Sequence, residues 1–101
     1  MTAALVVNER TTQEGLLVAI CDADVLGESF EGDGVSLTVT EEFYGGETVD
    51  EAAVVASLQR ASVANIVGTE AVGLAIEHGF VDEDNVLEVG QTRHAQLLSV
   101  R

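Results

Sequence analysis

The chain has 101 residues, 18 carboxylates against four arginines, no lysine and a net charge of −14, yet 47% of it is hydrophobic. That apolar fraction excludes an acidic disordered tail, and no run approaches the roughly 20 apolar residues of a membrane-spanning helix. A single cysteine excludes an internal disulfide and fits a reducing compartment.

Ala4–Glu9 is apolar and rich in β-formers, and Leu16–Asp22 is a second such run. The polar stretch 11–15, ending in Gly15, reads as the turn of a hairpin. The second run is apolar almost throughout, the pattern of a central strand covered on both faces. A loop with Gly27, Gly32 and Gly34 follows. Val35–Thr40 then alternates strictly, with Val35, Leu37 and Val39 on one face, which predicts a half-buried strand. Phe43-Tyr44-Gly45-Gly46 breaks the chain.

Thr48 and Glu51 have the spacing of a capping box, which predicts a helix to about Arg60 with Ala52, Val54, Val55 and Leu58 facing inward. Ser62 is placed to cap a second helix closed by Gly79 after His78. Its apolar positions Ala64, Val67, Ala71, Leu74 and Ala75 lie at helical spacing. Gly68 either sits inside this helix, at a cost of about 1 kcal/mol against alanine, or ends one short helix before Thr69 caps another. Val86–Val89 is a short strand, Gly90-Gln91-Thr92 a turn, and His94–Val100 the last strand. The order ββ, β, αα, ββ predicts a single α+β domain over residues 1–101. Its mostly antiparallel mixed sheet carries two helices on one face.

A domain of this size exposes about 5,500 Å², so one net negative charge falls on about every 400 Å². The Debye length is about 30 Å at 0.01 M salt and about 3 Å at 1 M. The acidic coat therefore predicts a fold complete only in high salt, as in the cytoplasm of a halophile. The start of the chain has no basic segment and too short an apolar run for a signal peptide, which also predicts a cytoplasmic protein. In multimolar salt the counterion-release part of nucleic-acid binding has mostly vanished for any protein. The net charge thus weighs little against RNA.

Cys21, with Asp22 and Asp24 after it, combines with His94 into a thiol–imidazole–carboxylate set if the fold brings them together. Otherwise Cys21 is a small buried hydrophobe and Asp22 caps the next turn. The ligating candidates Cys21, Asp22, His78 and His94 show no metal-site spacing, so no specific metal and no cofactor are expected. Phe43-Tyr44 is either a stacking platform for a base or core with one hydroxyl reaching water. Asn65, amid apolar neighbours, either braces a helix or loop end or takes part in recognition. The segment 91–96 is either a polar turn or the place of an anion or RNA contact through Arg93.

The blocks Cys21-Asp22, Leu26-Gly27, Glu41 to Gly46, Ala64 to Gly68, Val86 to Gly90 and His94-Ala95-Gln96 resemble the archaeal domain-of-unknown-function family 424, over nearly the whole chain from about Leu16. The resemblance brings no established activity. It implies an association with archaeal information processing and RNA, and one surface made of Asp22, Phe43, Tyr44, Asn65, Arg93, His94 and Gln96. The expected protein is a non-enzymatic binding module that touches RNA or ribosomal and translation proteins and no membrane. It predicts Tyr44, Asn65 and Arg93 together on an exposed face. The rivals are a small enzyme, which requires an accessible Cys21 within about 4 Å of an imidazole, and a dimerisation domain, which requires an exposed apolar edge or patch.

Overall fold

A computed structural model describes residues 4–32 and 34–99. The first hairpin pairs β1 (Leu5–Thr12) with β2 (Gly15–Asp22), leaving only Gln13 and Glu14 as its loop. A 3-10 turn at Ala23–Val25 leads into a small separate hairpin, β3 (Ser29–Gly32) and β4 (Val35–Thr38). The one-turn helix α1 (Glu41–Tyr44), the edge strand β5 (Glu47–Val49) and helix α2 (Glu51–Arg60) follow. β6 (Val63–Val67), α3 (Thr69–Glu77), a 3-10 turn at Glu83–Asn85, β7 (Leu87–Val89) and β8 (Thr92–Leu98) complete the described chain. The main sheet has the order β5-β1-β2-β6-β8-β7, and within it only β2 and β6 run parallel. The class is therefore the mixed, mostly antiparallel α+β sheet that the sequence predicts, with α2 and α3 on one face.

Alternation along the strands separates two cores. Leu5, Val18, Ile20, Ala64, Ile66 and Ala95 point toward α2 and α3 and meet Val54, Leu58, Ala71, Val72 and Ala75. On the opposite face Val6, Ala19, Cys21 and Val67 are covered by Val39 and Tyr44, with the small hairpin and α1 around them. β2 is buried from Val18 to Asp22, as its unbroken apolar run requires.

Several local expectations change. Residues 63–67 form a strand rather than the first turns of a helix. Gly68, at φ 120°, marks the join to α3, and a Cβ there would lie 2.4 Å from the Asp22 carboxyl carbon. Thr48 lies in β5, and the cap of α2 is Asp50, whose carboxylate accepts from the Ala53 amide at 2.9 Å. Ala52 is exposed, and Ser57 takes the inward position with Val54 and Leu58. β3 and β5 had no counterpart in the predicted order, and Val35 is exposed rather than half-buried. β8 starts at Thr92; Val100, the predicted strand end, lies outside the described residues.

Candidate binding face

The strand registers lay the face opposite α2 and α3 out in rows. Arg10, Leu17, Val63 and Leu98 form one row across β1, β2, β6 and β8. Asn8, Ala19, Asn65 and Gln96 form the next, and Val6, Cys21, Val67, His94 and Leu87 the third. Each row crosses adjacent strands about 4.8 Å apart, so Arg10 and Leu98 stand about 14 Å from each other. Tyr44 and Val39 bury the β1–β2 part of the third row. Leu17, Val63, Asn65 and His94 are half-buried and Gln96 is exposed. Leu87 and Leu98 are 45% and 72% exposed, too open to belong to either core.

The Gln96 amide donates to the Asn65 side-chain oxygen at 2.9 Å, which leaves the Gln96 oxygen and the Asn65 amide free to face a ligand. At the other end, Arg10 donates to the Glu42 carbonyl and places its guanidinium 5.3 Å from the centre of the Phe43 ring. Asn8 donates to the Gly45 carbonyl at 2.6 Å, which fastens α1 to β1. Burial holds the His94 imidazole below its ordinary pKa, so near neutral pH it is uncharged and can donate, accept or stack.

No carboxylate occurs on this face of the six strands of the main sheet. Glu9, Asp22, Glu47 and Glu88 all fall on the parity that faces the helices. Glu9 there accepts from Ser57 and pairs with Arg60 at 2.6 Å, and these contacts lower its pKa.

The predicted site residues divide between the two faces. Phe43, Asn65, His94 and Gln96 belong to the open face, Tyr44 is buried in the core on that same side, and Asp22 and Arg93 point to the helices. Asp22 points toward the helices and accepts the Glu70 and Ala71 amides at 3.1 and 2.8 Å, capping α3 from another strand. Burial raises its pKa against the lowering effect of those two bonds. Tyr44 is 5% exposed and stacks edge-on against Phe43, so it is core rather than platform, and burial pushes its phenol up to about 12. Arg93 turns to the helix side with a guanidinium nitrogen 3.7 Å from Glu83. Tyr44, Asn65 and Arg93 therefore do not form one exposed cluster.

Cys21 is fully buried, and burial with the nearby Asp22 and Asp24 pushes its thiol up to about 11. His94 lies two strands away in the same row, about 9.6 Å by strand spacing, beyond the reach of proton transfer. The thiol–imidazole enzyme is thereby excluded. Among the described residues no three ligating side chains converge, and Cys21, Asp22, His78 and His94 do not form a metal site. Arg10, Leu17, Val63, Leu87 and Leu98 were not singled out from the sequence. For Arg10 a signal was present as the alternation of Asn8 and Arg10 with Glu9 in β1.

Fold and site together define a small α+β domain with helices on one face of a mixed sheet and the other face half uncovered. The family described as "Protein of unknown function (DUF424)" matches residues 9–100, and the chain belongs to that family. A crystal structure of an uncharacterized conserved protein from Methanopyrus kandleri has the same fold, with a TM-score of 0.77 and 24% identity over 98% of this chain and 96% of that one. No curated protein matches.

Proposed function

We propose that this protein is a non-enzymatic binding module whose open sheet face receives single-stranded RNA, in association with the translation machinery of a salt-rich archaeal cytoplasm. One observation carries the reading: in a chain of net charge −14, the uncovered face presents Arg10, Asn65, His94, Gln96 and apolar side chains, and no strand carboxylate. Bases are recognised on sheet faces by stacking and by amide contacts to their edges, two or three at a time. A row about 14 Å long suits that number. Phe43 and neutral His94 offer ring faces, while Asn65 and Gln96 offer a donor and an acceptor.

The test is fluorescence anisotropy of labelled single-stranded RNA octamers of mixed sequence, in salt high enough to keep the native circular dichroism. Asn65→Asp and Gln96→Glu change an amide for a carboxylate at nearly constant volume. Each should weaken binding by about tenfold or more, the scale of a lost or reversed charge-sensitive hydrogen bond. Absence of binding to any octamer, or binding that ignores both substitutions, would overturn the reading. Crosslinking in native salt, followed by identification of what is attached, tests the translation association.

A further inference from the structure

We propose that the free edge of β8 is a docking site for an extended, basic-ended peptide segment of a partner protein, which adds a seventh strand beside Gln96 and Leu98. β7 has three residues and pairs only Thr92–His94 of the seven-residue β8. The Gly68 amide donates to the Arg93 carbonyl and the Ser99 amide to the Ser62 carbonyl, both at 2.9 Å. The odd-numbered residues of β8 therefore turn their main chain toward β6, and the even-numbered ones turn theirs outward. β7 takes the outward groups of Thr92 and His94. Those of Gln96 and Leu98 meet no partner strand among the described residues.

This edge differs from the other end of the sheet. Where β1 runs beyond β5, its exposed stretch carries Glu9 and Arg10, charges that discourage strand pairing. The stretch Ala95-Gln96-Leu97-Leu98, which has no partner strand on its outer side among the described residues, carries no charge and no proline. Two grooves flank it. One, of about 510 Å³, lies on the open face between Leu87 and Leu98; the other, of about 260 Å³, lies on the helix face against Phe80 and Leu97. Asn85, two residues before β7, lines both grooves, so an added strand would start past it and drop successive side chains alternately into the two.

Charge selects the occupant. Asp82 lines the smaller groove, and exposed Asp84 follows it. A second copy of this chain would set its own Asp82 and Asp84 near those of the first, and at contact distance a Debye length of about 3 Å leaves part of that repulsion in place. A segment with arginine or lysine at its ends complements the rim instead.

The site rests on main-chain groups at the edge, and its open-face groove shares His94, Gln96 and Leu98 with the RNA face, so the two are told apart by edge amide protection and by Asn65→Asp. The probe is a fluorescein-labelled peptide of alternating valine and threonine with arginine at both ends, compared with the same peptide ended by glutamate. Binding is measured in the lowest salt that keeps the native circular dichroism. The arginine form should bind about tenfold more tightly and slow amide exchange at Gln96 and Leu98 by at least about tenfold. Leu98→Pro, which removes an outward donor and keeps the bonds to β6, should weaken it, while Asn65→Asp should not. The proposal falls if neither peptide binds, if the two bind equally, if those amides stay unprotected, or if light scattering shows a second copy on the edge.

Discussion

Asp22→Ala separates a structural aspartate from a ligand-binding one. In the native protein the carboxylate accepts the amides of Glu70 and Ala71, two of the four donors that α3 leaves unpaired at its start. Ala71 is fully buried, so its N–H would be stranded without water, a loss of about 1–3 kcal/mol. Glu70 is exposed, and its N–H can turn to solvent at a cost of about 0.5 kcal/mol. Alanine also relieves the burial of a charge, which raises the Asp22 pKa and offsets part of this. The net expectation is about 2 kcal/mol of lost stability, or a fall in Tm of about 8–16 °C for a domain of this size. Asp22→Asn keeps one acceptor and should lose less. Denaturant unfolding of the three proteins in high salt, followed by far-UV circular dichroism, measures this, with RNA anisotropy run on the same samples. A loss below about 0.5 kcal/mol would refute the capping argument. So would folded Asp22→Ala protein with wild-type stability and abolished RNA binding, which would return Asp22 to the recognition surface.

Gly68→Ala should destabilise by more than about 2 kcal/mol, because positive φ adds strain to a collision with the Asp22 carboxyl group; thermal unfolding checks it. Cys21 should resist thiol reagents in the native state and react only on unfolding, and rapid native labelling would contradict its burial. Glu9 has its pKa lowered first by the Ser57 hydroxyl and then by Arg60, so it contributes stability that is present above its unfolded pKa and lost as pH falls through the folded one. Ser57→Ala should therefore flatten the loss of stability below about pH 4, as read from unfolding at several pH values. The acidic coat predicts that far-UV circular dichroism weakens as salt is lowered toward about 0.01 M, and an unchanged spectrum there would remove the high-salt reading.

The sequence carried the elements whose periodicity had one interpretation. β2 was legible because an apolar run of strand length bounded by polar residues suits a doubly covered strand. α2 was legible apart from Ala52 and Ser57 on its faces and apart from its cap, where Thr48 and Asp50 both precede a first-turn acid and only the pairing of β5 with β1 decides between them. β6 was not legible, because Ala64 and Val67 continue by coincidence the helical spacing of Ala71, Leu74 and Ala75. Gly68 and the β-branched Val63, Ile66 and Val67 argued the other way, and pairing to both β2 and β8 settles it. β3 and β5 are short and polar, and they form through the neighbours they meet rather than through their own residues. The site was half legible. Asn65, His94 and Gln96 share a face only because β6 is a strand beside β8. On a helix, Asn65 would have had no fixed relation to them.

That pairing also changes what the acidic coat means. If solvation alone placed carboxylates, they would collect where the sheet is most open, at positions such as Leu87, Gln96 and Leu98. They stand instead on the helix-facing parity, where Glu9 meets Arg60, Asp22 caps α3 and Glu88 lies opposite Arg93. A half-exposed sheet face ordinarily tolerates acids, since a surface substitution there costs within about 0.5 kcal/mol. Folding therefore does not require the open face to be free of them, and solubility in salt would favour adding them. On the proposed reading a binding requirement keeps this face free of acids, which has a direct consequence: Gln96→Glu and Leu98→Glu together should leave Tm within about 4 °C of the parent while removing RNA binding. A large loss of Tm with binding intact would mean that this face is kept apolar for stability, and the binding reading would fall with it.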